Sequence, residues 1–432
     1  MLITLTILVY RCFLALYRLG ALLLSPFNEK AKRWLSGRKD VVTRVSAFVG
    51  ADARPIVWFH CASLGEFEQA RPLLERIRTQ YSHYRILLSF FSPSGYEIRK
   101  NYDKADFVCY LPADSPAHAA QWVATVKPVL VVWIKYEYWY YYLRQLQKTR
   151  TPLLLVAGIF RPSQPFFAGW GQFHRQMLGC FTWLFVQNQA SKKLLGSIGY
   201  YENVSVSGDT RFDRVIEIAE DARGLPLVEQ FTGASPVIVA GSTWEEDEEE
   251  LDHFANAHPE IKFIIAPHEI DEEHIRQIEK LFKHSIRYSL LQQQSKDENL
   301  LTPAPSQGNA NVLIVDNIGL LATLYKYATI AYVGGGFGND GVHNVLEAAV
   351  YSKPVVFGPV YEKFAEAVDL VERGGAFAIE NALALEQLLE NLLTNEALYK
   401  EAATAAGSYV LSQRGATQKI MDFIYEKRLL TN

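Results

Sequence analysis

Short, strongly apolar runs recur between stretches of helical length, and they do so in two separate series. From residue 54 to 206 the runs IVWFH, RILLSF, DFVCYL, VLVVWI, PLLLVA and WLFVQ are each followed by a turn and a helix-length segment. The rhythm restarts at Pro236 with PVIVAGS, KFIIAPH, VLIVD, ATIAYVGGG and PVVFG. Continuous apolar runs of this length, alternating with helices, are what a parallel sheet covered on both faces requires. The pattern predicts an α/β protein with two Rossmann-like domains. Residues 219–235, polar and carrying Gly224, Pro226 and Gly233, place the join between a domain at 41–218 and one at 236–432. Residues 292–311, rich in Gln, Ser, Pro and Asn, read as a surface loop inside the second domain.

Ligands of open parallel sheets bind beyond the carboxyl ends of the strands, so two such domains are expected to face each other across a ligand cleft. The bulk composition adds little to that expectation but excludes some classes. A net charge of -4 and the lack of a basic stripe interleaved with aromatics argue against nucleic acid. Cys12, Cys61, Cys109 and Cys180 lack CxxC spacing and suit free thiols in a reducing compartment, with neither zinc nor disulfides.

The amino terminus departs from this even picture. Residues 1–27 are apolar but interrupted by Arg11 and Arg18, and no small-residue cleavage site follows. Through Asp40 there are seven basic residues against two acidic ones, a surplus of five positive charges in an acidic chain. Residues 1–40 are therefore expected to form a helical anchor on an anionic membrane surface. A helix lying in the interface with its arginines snorkelling to head groups is favoured over a spanning one, and a buried first helix is the plain alternative.

The first apolar run passes into Ala62-Ser63-Leu64-Gly65-Glu66 and then a helical pattern, which puts Glu66 at a strand-to-helix turn. Ser63 and Glu66 also have capping-box spacing, and a cap and a general base can coexist. Because a helix start favours the ionised carboxylate, Glu66 is expected to remain a proton acceptor at neutral pH, even with modest basicity. Ser63 and Gly65 flank it, and Lys135 and Glu137 open an aromatic cluster, 136–142, at the end of the fourth run. That cluster suits sugar or acyl contact, or equally packing under a helix start. These four residues are the acceptor-side candidates.

In the second domain GGGFGNDGVHNVLEAA (334–349) leads from a strand toward a helix, the arrangement in which glycines admit a phosphate to backbone N–H groups. Glu347 is placed to accept ribose hydroxyls, and His343 is either a ligand donor or a satisfied surface histidine. Ser242 and Thr243 close one strand with hydroxyls, and Pro267 and His268 close the next. The acidic run 245–250 reads as a solvated helix face, not a metal site, and no D-x-D motif follows a strand.

Taken in order, Gly37-Arg38-Lys39, HCASLGEFEQARPL (60–73), VSGDTRFDRV (206–215), VAGST (239–243), the glycine segment and KPVVFGP (353–359) resemble the bacterial 3-deoxy-D-manno-octulosonic acid (Kdo) transferases. The resemblance covers nearly the whole chain. It implies a GT-B glycosyltransferase fold with no cofactor or metal, which inverts as it transfers Kdo from CMP-Kdo to a lipid A precursor in lipopolysaccharide synthesis. It also implies work at the cytoplasmic face of the bacterial inner membrane, as a peripheral protein or with a single N-terminal anchor. Carried over, Glu66 is the general base, and the donor contacts Pro267, His268, Gly319, Leu320, Leu321, Asn344, Val345, Leu346 and Glu347. Two departures stand out: His268 occupies the place of an arginine common in the family, and Lys135 replaces the first glutamate of a Glu-x-Glu-x-Trp pattern. The competing expectations are a UDP-sugar transferase or epimerase of the same fold, which needs neither the basic anchor nor the early S-L-G-E turn, and a non-catalytic membrane-tethered sugar-nucleotide-binding protein.

Overall fold

The structure, a computed structural model, describes residues 2–295 and 310–431. It contains two compact units, residues 1–214 with 415–432, and residues 215–414.

The first unit is built on seven parallel strands: β1 (Ile56–Cys61), β2 (Arg85–Phe90), β3 (Phe107–Tyr110), β4 (Leu130–Ile134), β5 (Leu153–Gly158), β6 (Trp183–Val186) and β7 (Val204–Val206). Their order is β3-β2-β1-β4-β5-β6-β7. Every residue of β1 is buried, and its side chains alternate between two cores. Ile56 and Trp58 join Trp122, Trp133 and Tyr142 on one face, while Val57 and Phe59 join Leu73, Ile77 and Leu88 on the other. A strand covered on both sides must be apolar throughout, which is why these runs do not alternate in the sequence.

The second unit repeats the plan with β8 (Val237–Thr243), β9 (Lys262–Pro267), β10 (Ser285–Arg287), β11 (Val312–Ile314), β12 (Ile330–Val333), β13 (Val355–Phe357) and β14 (Ala376–Ala378). All pairs are again parallel, in the order β10-β11-β9-β8-β12-β13-β14. Strands β7, β10 and β14 do not stand out in the sequence. Each is three residues long and lies at a sheet edge, where one flank lacks a partner and a long apolar run is unnecessary.

The division differs from the expected one at 218 and 236. Residues 219–235 include a helix, Pro226–Thr232, whose Val228 is buried and whose preceding Leu225 N–H bonds Tyr327 Oη, so they belong to the second unit. The last helix, Ala416–Glu426, returns to the first unit, where Ile420, Met421 and Ile424 join its core. The Asp213 carboxylate accepts the N–H groups of Gly415 and Thr417, each at 2.6 Å, and so caps that helix. The expected loop at 292–311 falls mostly outside the described residues. At its edges, 292–294 continue the helix Tyr288–Gln294, and Ala310 and Asn311 are buried instead of exposed. Cys61, Cys109 and Cys180 are buried free thiols, whereas Cys12 is exposed.

The N-terminal helix, Leu2–Leu24, carries a segment, Leu5–Leu24, long and apolar enough to cross a membrane. It does not stand free of the first unit. Tyr10 packs against Tyr140, Tyr141 and Phe173 and donates to Asp114 at 2.6 Å, and Tyr17 packs against Trp34 and Phe91. Ile7, Tyr10, Leu14 and Ala21 form a half-buried stripe at helical spacing, while Leu8, Phe13, Leu16 and Leu23 on other faces remain exposed.

Candidate active site

In each sheet the strand order reverses beside the first strand of the unit: β1 lies against β4, and β8 against β12. Consecutive connections leave such a point in opposite directions, opening a crevice at the carboxyl ends. Glu66 follows β1 and Lys135–Glu137 follow β4, so the structure gathers the acceptor-side candidates at the first of these points.

Ser63 is the N-cap of the helix Leu64–Gln80, with extended backbone, but its hydroxyl makes no capping bond. The reciprocal box suggested by the spacing does not form. Instead the Glu66 carboxylate turns back to accept the N–H of Ala62 and also takes that of Tyr136, tying the two loops together. Glu66 is only 8% exposed. Burial pushes its pKa up to about 8; the Ala62 N–H opposes this, the nearby Glu137 charge adds to it, and Lys135 opposes it. The expectation of an ionised carboxylate at pH 7 is thereby corrected: desolvation outweighs a helix terminus worth only about 0.3–1 kcal/mol.

Lys135 adopts a left-handed backbone conformation (φ 52°) that places it over the Tyr136 ring, 5.6 Å from its centre. Glu137 is held by the scaffold: Oε2 accepts Trp139 Nε1 at 2.8 Å and lies 3.2 Å from His60 Nε2, and its backbone carbonyl accepts Trp133 Nε1. The aromatic cluster resolves largely into packing, since Tyr140 and Tyr142 are core residues below the helix Tyr140–Lys148, while Tyr136 is exposed. Gly65 is exposed beside Glu66, with open space where a Cβ would stand.

Two groups here were not singled out from the sequence. Fully buried His60 bridges Ser89 Oγ (2.9 Å) and Glu137, and its position inside an apolar strand was the available signal. Asp209 accepts Gln69, Gln187 and Arg211; burial raises its pKa, but Arg211 overrides this and holds it below the usual carboxylate range.

In the second unit, the ends of the neighbouring strands β11, β9, β8 and β12 bring together the 319–321 turn, Pro267-His268, Ser242-Thr243 and the glycine segment. Trp244, His268 and His343 form a stack, with His268 centred 4.7 Å from Trp244 and 4.4 Å from His343. Trp244 Nε1 donates to His343 Nε2 at 3.0 Å. Burial, with His268 beside it, lowers the His343 pKa to about 4, so the ring is neutral and fixed as an acceptor there. His268 itself is exposed.

Several expectations are corrected in this unit. Asp247 and Glu248 are buried at 1% and 0%, not part of a solvated face. Asp247 accepts the N–H of Gly335 (2.8 Å), the N–H of Trp244 (3.0 Å) and the Tyr332 hydroxyl (2.8 Å). Glu248 accepts the Thr243 hydroxyl at 2.7 Å and faces His274 Nε2 at 2.9 Å, so Thr243 is engaged by the scaffold instead of offering its hydroxyl. Ser242 is half-buried with a left-handed φ of 55°.

The glycine segment is not a ready cradle of free amides. The N–H groups of Gly334, Gly335, Gly338, Val342 and His343 are bonded to Gly241, Asp247, Gly335, Val360 and Gly334. Its glycines serve close backbone packing: a Cβ on Gly336 would lie 2.5 Å from the Gly358 nitrogen. The helix beyond is a single turn, Leu346–Ala349, and it carries Glu347. Asn344 Nδ2 donates to Glu347 at 2.9 Å, and the Asn344 side-chain oxygen accepts the Leu346 N–H. Gly319 holds φ 99°, and the helix Leu321–Leu324 starts just after it.

The twin seven-stranded sheets define the GT-B class. Solved structures of that shape include a UDP-GlcNAc 2-epimerase from Neisseria meningitidis (TM-score 0.59, 15% identity, 86% of this chain and 100% of the other) and MurG of Acinetobacter baumannii (TM-score 0.53, 14% identity, 86% and 99%).

Within that class, residues 36–214 match the family model described as 3-deoxy-D-manno-octulosonic-acid transferase (kdotransferase). It is 24% identical to the 3-deoxy-D-manno-octulosonic acid transferase of Haemophilus influenzae, over 85% of this chain and 86% of that protein. To the Aquifex aeolicus protein of the same name it is 27% identical, over 78% and 86%. A bifunctional glycosyltransferase/methyltransferase of Fusobacterium nucleatum is 27% identical over 96% of this chain, which spans 61% of that longer protein.

Proposed function

We propose that the protein transfers Kdo from CMP-Kdo to a lipid A precursor, inverting the anomeric centre, with Glu66 as general base. The observation that carries the reading is the buried Glu66 carboxyl, its basicity raised, at the reversal point of the sheet within the segment that matches the family. The names of the Haemophilus and Aquifex relatives supply the sugar. Ionised Glu66 takes the proton of an acceptor hydroxyl, that oxygen forms the bond to the anomeric carbon, and the bond to the CMP phosphate oxygen breaks. One displacement inverts the centre. General-base assistance of this kind contributes typically about 10²–10⁴-fold.

The donor is assigned to Pro267, His268, Ser242, the 319–321 turn and residues 344–347, with CMP leaving as the phosphate anion. The exposed His268, stacked on Trp244 and His343, offers an imidazole edge where the family has a guanidinium. Thr243 acts from behind, through Glu248. Ser63, Gly65 and Lys135 line the acceptor side, and Glu137 serves it by holding Trp139 and His60. The exposed apolar faces of the N-terminal helix and the basic residues through Lys39 support attachment to an anionic membrane surface, with the helix in the interface; we assign that surface to the cytoplasmic side of the inner membrane.

Glu66→Gln is expected to retain CMP binding, measured by thermal shift, and to lose at least about a hundredfold in transfer. Near-normal turnover would leave Glu66 only its role in joining the two loops. A larger thermal shift with UDP than with CMP would point to a UDP-sugar enzyme instead.

A further inference from the structure

Docking of the N-terminal helix leaves a slot of about 260 Å³ between it and the first unit. Arg11, Leu14 and Arg18 line it from the helix, and Phe91, His118 and Trp139 from the opposite wall. A further cavity of about 480 Å³ lies on the other side of the Tyr17, Trp34 and Phe91 rings. The walls are predominantly aliphatic and aromatic, so hydrocarbon placed there is removed from water.

The surroundings are cationic. Arg11 and Arg18 are exposed and have no ion-pair partner among the described residues. Arg38 lies behind the wall, its guanidinium 4.0 Å from the Trp34 ring centre and 4.9 Å from that of Phe91. It donates to the backbone carbonyls of Leu111, Trp34 and Phe91, and the Glu137 charge acts on it from nearby. Asp114 also borders the slot, but its oxygens are occupied by the Tyr10 hydroxyl and the N–H groups of Tyr141 and Tyr142. An apolar slot edged by the two exposed guanidinium groups of Arg11 and Arg18 fits an amphiphile with a hydrocarbon chain and a phosphate head.

The inner wall leads to the candidate active site. Phe91 packs on Trp139 with ring centres 4.6 Å apart, Trp139 donates to Glu137, and the Glu137 charge acts on Glu66. A chain seated in the slot therefore touches the residue that holds Glu137. That continuity selects the acceptor over a bystander membrane lipid.

We propose that the slot seats an acyl chain of the phosphorylated glycolipid acceptor, with Arg11 and Arg18 on its phosphate, so that the N-terminal helix is a wall of the acceptor site as well as an anchor. This rests on the acceptor being a lipid, as in the proposed function. The test compares transfer to an acylated, micelle-dispersed acceptor with transfer to its deacylated, water-soluble form. Leu14→Trp, which fills the slot, is compared with Leu16→Trp, which adds the same bulk on an exposed face of the helix (Leu16 is 66% exposed).

Leu14→Trp should lower the acylated-to-deacylated ratio of kcat/KM at least tenfold, mainly through KM. That is the loss of burial of only about two methylenes. Leu16→Trp should leave the ratio within twofold. An unchanged ratio in Leu14→Trp, an equal fall in Leu16→Trp, or restoration of the lost step by added phospholipid would overturn the slot. Failure of the unmodified protein to glycosylate either acceptor would instead overturn the proposed function.

Discussion

Replacing Glu66 by glutamine should strengthen the first unit at alkaline pH even as it removes most turnover. The carboxyl is 8% exposed and its pKa rises from 4.5 to about 8, chiefly through burial. An acid whose folded pKa exceeds its unfolded value binds its proton more tightly when folded. The resulting stability is complete below about pH 4.5 and is lost as pH rises through about 8. A rise from 4.5 to about 8 corresponds to ~5 kcal/mol. Glutamine has the same shape, keeps an oxygen for the Ala62 N–H and never ionises. Its stability relative to the native chain should therefore climb by several kcal/mol between pH 5 and pH 9, while titrations elsewhere cancel in the difference. Urea unfolding followed by tryptophan fluorescence suits the measurement, because Trp58, Trp122 and Trp133 are fully buried in this unit. A stability difference that is the same at both pH values would refute the claim that burial controls this carboxyl.

The same ionisation should appear in catalysis: kcat/KM for transfer is expected to rise nearly tenfold per pH unit from 6 and level off near 8. A flat profile over that range would exclude Glu66 as the titrating base. Asp247→Ala leaves the Gly335 and Trp244 N–H groups and the Tyr332 hydroxyl without their acceptor, so the second unit should lose ~3 kcal/mol or more and bind CMP more weakly; calorimetry checks both. Removing residues 1–40 should lower co-sedimentation with anionic vesicles severalfold, and unchanged sedimentation would refute the membrane role of this segment.

The central strands were legible because a strand covered on both faces must be apolar at every position, as β1 and β4 are. The edge strands β7, β10 and β14 carry no such demand and left no mark. The place of Glu66 could also be read, since an apolar run, a short turn and a helix fix where its side chain starts. Its protonation could not, because it depends on burial in the folded unit and on Lys135, Tyr136 and Glu137, some seventy residues along the chain. The acidic helix start was misread for the same reason: Asp247 is buried by Gly335 and Tyr332, and Glu248 is matched to His274, all distant in sequence. The return of Ala416–Glu426 to the first unit rests on Asp213 and a handful of apolar contacts that no local pattern announces.

Mass analysis of a tetraacylated lipid A precursor after incubation with the purified protein and CMP-Kdo tests the central claim most directly. The lipid should gain one or more Kdo residues with release of CMP, and the gain should largely vanish with Glu66→Gln. An unmodified lipid with intact donor, or equal product from the glutamine variant, would contradict the proposed chemistry.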